Sequence, residues 1–268
     1  MKTIKSLFLL AAFIMSSFIV IAQNTEQTFF IVETMKAAPG KSDEYVKAER
    51  EVWKRIHQER IKRGLIIGWN FYAVLSPAGS SVPYDYVTVT LVQGWNKLEN
   101  PWGNMLAEGA EKLLTKEQLA IANVTGTLRN LTTSTVYYGA DYVAADPKAT
   151  TPAKYQMINY MKVKDGMTEE YLNMETKLVK PMHVEMMKTG GHSAWGLYGR
   201  VFGGDGLPFD FVTSDYFNKW SDMNTGGSYS KALEKVHPDM GMSYLEKRIN
   251  ETRHLVNREL WELIDYTR

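Results

Sequence analysis

The sequence predicts an α+β chain in which two copies of one β-α-β-β-α-β unit pack sheet to sheet. Three observations predict it. One long stretch occurs twice, each occurrence alternates strand-like and helix-like periodicity in the same order, and the chain has no cysteine. Disulfides and thiolate metal sites are therefore excluded, and the core must hold itself by packing. A chain of 268 residues is long enough to do so in one or two domains.

The repeat comes first, because it sets the boundaries. The stretch from Met35 to Tyr72 lies over that from Met161 to Tyr198 without a gap. Lys36 meets Lys162, Gly40 meets Gly166, Tyr45 meets Tyr171, Glu49 meets Glu175, His57 meets His183, Gly64 meets Gly190 and Trp69 meets Trp195. Roughly a third of the paired positions are identical. The match resumes, one residue shorter, with Pro83, Asp85 and Val87 against Pro208, Asp210 and Val212. It echoes again near the ends, Arg129 and Asp141 against Arg253 and Asp265. A period this long is a duplicated domain and not a solenoid unit. The organisation expected is a signal segment at 1–23, a first repeat at 24–143, a linker rich in Pro, Ala and Thr at 144–153, and a second repeat at 154–268.

Residues 1–23 carry Lys2 and Lys5, then an apolar run from Leu7 to Ile21 and Ala22-Gln23, the order of a cleaved secretory signal. The expectation is an exported protein, periplasmic or secreted, with no membrane span in the mature chain. Losing the two lysines takes the formal charge from +1 to −1. A near-neutral chain argues against a nucleic-acid partner or a polybasic membrane module.

Within the first copy, 29–35 is short, apolar and β-branched, a strand. Pro39-Gly40 turns the chain. Ser42, followed by Asp43 and Glu44, is read as the cap of a helix that runs to about residue 63 and stops at Gly64. Strands follow at 66–75 and 84–92. A helical region broken near Pro101-Trp102-Gly103 leads to a last strand at 131–142. The second copy repeats the order, with Thr168 as the cap and Pro181 expected to bend the first helix. Trp95 and Trp220 are expected to anchor the second helical region.

This order is the ferredoxin-like plait. Its sheet carries both helices on one side and leaves the other face bare. Two such sheets facing each other cover one another. The apolar fourth strands, with Val136, Tyr137 and Tyr138 and with Leu260, Trp261 and Ile264, suit that seam. The layout resembles the dimeric α+β barrel superfamily, which includes stress-responsive A/B barrel proteins, antibiotic-biosynthesis monooxygenase-like proteins, the NIPSNAP group and sugar mutarotases. The helical segment from Glu49 to His57, EREVWKRIH, is similar to theirs. The resemblance spans nearly the whole mature chain. It implies a pocket between sheet and helices for a small cyclic or aromatic molecule, in some members haem, with the two repeats acting as the two protomers.

Stepping 100° per residue from Tyr45 puts Val52 and Ile56 near 0°, Glu49 near 40°, Trp53 near 80° and His57 near 120°, roughly the edge of the apolar face. Glu175 and His183 repeat the pattern. A carboxylate in an apolar stripe is desolvated and its proton affinity rises, the setting of a general acid or base. Glu49, His57, Glu175 and His183 are thus the catalytic candidates. Trp53, Trp69, Tyr72, Trp195 and Tyr198 are the ligand-binding candidates, Trp69 and Tyr72 facing opposite sides of one strand. The bland alternative gives the acids satisfied structural bonds and the histidines a cationic role near a helix end. Eight residues separate Glu49 from His57, about 12 Å along a helix, so they are not a proton-sharing pair. Asp85 and Asp210 read as turn residues. One histidine per helix lacks the ligand count of a metal site, so no metal is expected. No cofactor is expected either, haem bound through His57 or His183 being the minor alternative. Three readings stay open: a small-molecule enzyme using proton transfer, a non-catalytic binding module for a hydrophobic ligand or haem, and a structural or interaction protein, with self-association beyond the internal pair compatible with each.

Overall fold

The computed structural model describes residues 26–105, 108–204, 206–224 and 228–268. The signal segment expected at 1–23 lies outside the described residues. In the first copy, strand β1 (Thr28–Ala37) leads to a helix in three parts: α1 (Ser42–Ala48), a π-turn (Glu49–Trp53) and α2 (Lys54–Lys62). Strands β2 (Gly68–Ser76) and β3 (Tyr86–Gln93) follow. Then come α3 (Trp95–Glu99), α4 (Lys116–Leu128) and the long β4 (Arg129–Ala144). The second copy has β5 (Tyr155–Val163), α5 (Thr168–Met174), a π-turn (Glu175–Val179), α6 (Lys180–Lys188), β6 (Ala194–Arg200), β7 (Phe211–Phe217), α7 (Ser228–Val236), α8 (Met242–Thr252) and β8 (Arg253–Thr267).

All eight strands form one closed antiparallel barrel in the order β1-β3-β2-β8-β5-β7-β6-β4. Each copy supplies a four-stranded sheet, and the seam is reciprocal. The fourth strand of each copy hydrogen-bonds to the second strand of the other: β4 to β6 (Tyr142 opposite Gly196) and β8 to β2 (Tyr266 opposite Asn70). The two bare faces therefore become the inside of a barrel that leaves no open edge between the copies. Tyr72, Val87, Val89, Tyr137, Ile158, Tyr160, Val212 and Trp261 pack in that interior. The helices lie outside. Phe29, Tyr45, Ala48, Trp69 and Phe71 form the core under the first copy's helix, and Met161, Tyr171, Met174, Trp195 and Leu197 form its counterpart.

Several local expectations change. Ser42 and Thr168 are the first helical residues and make no side-chain cap; Lys41 and Met167 precede them, and their carbonyls receive the Tyr45 and Tyr171 N–H groups at 2.9 and 2.8 Å. The first helix does end at Gly64, whose φ of 68° suits glycine. There Gly64 N–H donates to the Ile61 carbonyl and Leu65 N–H to that of Arg60, a Schellman closure. Pro181 is not the origin of the irregularity in the second helix. The π-turn precedes it and recurs at the same place in the first copy, which has Arg55 there. Trp95 and Trp220 do not anchor a helix from within. Both are largely exposed, lying edge-on to Phe29 at 4.5 Å and to Tyr155 at 5.7 Å.

Candidate functional site

The π-turns govern the helix faces. Each inserts one residue into the helix, which rotates everything after it back by about 100°. His57, expected near the edge at about 120°, therefore turns to about 20° and faces the sheet. It is 6% exposed, and His183 is 7% exposed. Each imidazole lies on the tryptophan of its own second strand: His57 on Trp69 at 4.9 Å and His183 on Trp195 at 5.5 Å between ring centres. The expected cationic role near a helix end is overturned. Burial pushes the His183 pKa down to about 4 and that of His57 well below its usual range, so both rings are neutral at pH 7.

Glu49 and Glu175 open the two π-turns and are both buried. Burial pushes each carboxyl up to about 7. Tyr45 and Arg129 pull Glu49 back; Arg253 and Tyr171 do so for Glu175, while Asp215 pushes it further up. The Arg253 Nε lies 3.7 Å from Glu175 Oε1. In both copies the acid thus lies beside a buried tyrosine and a half-buried arginine. The acids hold a pKa suited to proton transfer. The space around the first acid is filled, however: Tyr45, Ala48, Val52, Trp69 and Phe71 are essentially inaccessible. The hollow expected beneath the first helix is occupied by these side chains. Trp53 is part of the same packing and donates its indole N–H to Thr125 at 3.2 Å. Asp85 and Asp210 take the role of turn residues, each accepting from a lysine (Lys36, Lys162) and from a backbone N–H (Ala37, Val163).

A substantial cavity lies elsewhere. A space of about 810 Å³ opens at one mouth of the barrel, between the ends of the two copies and the connecting segment 145–153. Its wall includes Asn70, Tyr142, Gln156, Ser193, Tyr198, Tyr216 and Arg268. It adjoins a narrow space of about 70 Å³ within the barrel, which shares Phe30, Gln156, Tyr198 and Tyr216 with it. The polar groups at this mouth are fixed by one another. Tyr72 Oη accepts from Asn70 Nδ2 and Gln156 Nε2, both at 2.9 Å, and the hydroxyls of Tyr198 and Tyr216 are 2.6 Å apart. Asn70 Oδ1 and Ser193 Oγ are buried without a hydrogen-bond partner. Among the described residues no carboxylate pairs with Arg268, which donates to the Trp69 and Thr267 carbonyls.

A second cluster joins residues from three elements of the second copy. His183 from α6, His192 from the turn before β6 and Asp215 from β7 bring one donor atom each within 4.8 Å of one another. Nothing in sequence spacing joins them. His192 and Asp215 are not among the sequence-derived candidates, since neither lies on the helix that carries the repeated acid and histidine.

The arrangement of strands and helices is similar to that of several solved structures. A candidate monooxygenase from Fusobacterium nucleatum superposes with a TM-score of 0.55 at 9% identity, over 91% of this chain and 94% of that one. A candidate chlorite dismutase gives 0.50 at 11% identity, over 89% and 95%. An anthrone oxidase-like protein gives 0.50 at 12%, over 91% and 94%. The fold is the dimeric α+β barrel. At these identities the likeness is one of fold. No protein family and no curated protein matches the sequence. In this dimeric α+β barrel the two protomers are the two halves of one chain, so the halves are free to differ.

Haem is the cofactor that the resemblance suggests, and neither His57 nor His183 is placed to ligate it. His57 Nδ1 is engaged by Arg60 Nη1 at 2.8 Å, and the ring is held between Trp69 and Trp102. His183 is covered by Trp195 on one face and met edge-on by His192 and Tyr229. Neither ring borders the 810 Å³ cavity or the space inside the barrel.

Proposed function

We propose that the protein binds a small cyclic or aromatic organic molecule in the barrel-mouth cavity. The observation that carries this is the cavity itself, of ligand size, with the buried Asn70 Oδ1 left unbonded in its wall. Tyr142, Tyr198 and Tyr216 offer aromatic surface, and Arg268 offers a cation for an oxygen-rich substituent. Of the ligand-binding candidates read from the sequence, Tyr198 lines this cavity, and Tyr72 orders its wall through Asn70 and Gln156. Trp53, Trp69 and Trp195 pack under the helices instead.

Proton transfer by Glu49, Glu175, His57 or His183 is the second reading, favoured by the raised pKa of both acids. It needs a substrate to enter beneath a helix. Export, read from residues 1–23, completes the proposal. The test is a thermal-shift and calorimetric screen of aromatic acids and cyclic alcohols on the purified protein. Binding that weakens at least about tenfold in Arg268→Ala and in Tyr216→Phe, about 1.4 kcal/mol, supports the cavity. Binding unchanged in both moves the site away from the barrel mouth. The intact mass of the exported chain reads the processing: a start at residue 24 fits the signal segment, and a retained Lys2 excludes cleavage.

A further inference from the structure

The two copies provide an internal control for the cluster at His183. Trp69 pairs with Thr90 across β2 and β3, and Trp195 pairs with Asp215 across β6 and β7, so Thr90 and Asp215 are structurally equivalent. Ile66 and His192 each stand three residues before that tryptophan, and Arg60 and Met186 each stand three residues after the helix histidine. The positions of the first copy equivalent to Met186, His192 and Asp215 are thus Arg60, Ile66 and Thr90.

The chemistry differs accordingly. In the first copy Arg60 Nη1 meets His57 Nδ1 at 2.8 Å and satisfies it. In the second, His183 Nδ1 and Asp215 Oδ1 are both buried without a hydrogen-bond partner. Asp215 Oδ1 lies 3.6 Å from His183 Nδ1 and 3.4 Å from His192 Nε2. These separations exceed an ordinary N–H···O bond. They match the spacing of two donors on one tetrahedral ion, about 3.4 Å for bonds of about 2.0–2.1 Å. The carboxylate is aimed from behind: Asn159 Nδ2 donates to Asp215 Oδ2 at 3.0 Å, and Arg258 Nε donates to Asn159 Oδ1 at 2.6 Å. Such an outer shell fixes a metal-binding carboxylate.

We propose that His183, His192 and Asp215 bind one divalent first-row transition ion, of which zinc is the representative. Two imidazoles and one carboxylate suit such an ion better than magnesium or calcium, which take oxygen ligands. The fourth position is left to water. The site belongs to the second copy only and is independent of the barrel-mouth cavity.

The test uses full-length protein dialysed against a chelator and titrated with Zn²⁺ by calorimetry and with Co²⁺ by visible absorption. One equivalent should bind, with the intense ligand-field bands of a low-coordinate Co²⁺ site, and the melting temperature should rise with added Zn²⁺. The double variant His192→Ile with Asp215→Thr carries the residues of the first copy, and its affinity should fall at least about 100-fold. His254→Gln, on the exposed part of β8, should bind as the parent does. If the double variant misfolds by circular dichroism, Asp215→Asn replaces it, read by the change in the Co²⁺ spectrum. No saturable binding to the parent chain, equal binding by the variants, or loss of binding in His254→Gln overturns the proposal.

Discussion

Glu175 and His183 titrate in opposite senses, and this makes the pH dependence of stability readable. Glu49 and Glu175 have folded pKa values near 7 against an ordinary 4.5, so the fold favours their protonated forms. That contribution is full below about 4.5 and is lost as the pH rises through about 7. The buried histidines behave conversely. Their folded pKa values lie below 6.5, so their contribution is present above 6.5 and lost as the pH falls toward 4. The two slopes cancel in part between pH 4.5 and 6.5, and the parent curve alone hides both. Glu49→Gln and Glu175→Gln keep the neutral form at all pH values. Urea unfolding at pH 4.5 and pH 8 should show each variant gaining on the parent as the pH rises, by on the order of 3 kcal/mol. A pH-independent difference would show that the carboxyls titrate normally. At this scale the sequence was partly legible. A 100° step found both acids on the apolar face. It misplaced the histidines, because a π-turn has no signature in residue type. His192 and Asp215 were visible only as departures from the repeat: Ile66 against His192, Thr90 against Asp215.

The helix and its partner strand carry a second repeated device. Lys54 Nζ meets Asp265 at 2.6 Å and Lys180 Nζ meets Asp141 at 2.7 Å. Each bond runs from the first helix of one copy to the fourth strand of the other. All four groups are partly shielded, so the pairs should be worth more than fully exposed ones, about 1 kcal/mol each. Asp141→Asn and Asp265→Asn should each lower stability by about that amount, and the double variant should lose about the sum, because the pairs sit at separate seams. Chemical denaturation checks both figures, and a negligible loss in each would place these pairs among ornamental surface contacts. Both aspartates were noted in the sequence as repeat partners. Lys54 and Lys180 also stand at matched positions of the repeat, and only the fold joins acid to lysine, since the contact crosses between copies.

Across the molecule, the order of elements along the chain and the pairing of bare sheet faces followed from the duplication, because a repeated plait has one economical way to cover itself. The closure, in which each fourth strand also pairs with the second strand of the other copy, and the cavity at the mouth did not. Both depend on registers such as Tyr142 opposite Gly196, and on bulges in β4 and β8 that no residue pattern announces.

The cross-pairing of β4 with β6 and of β8 with β2 ties the halves together. Neither half owns a complete wall, so neither has a private stability to lose. Damage on one side of the ring is felt on the far side, and melting should proceed as one event, reported identically by Trp69 and Trp195 despite their separate neighbourhoods. Duplication here gave the two halves liberty in their chemistry while binding them to a common fate.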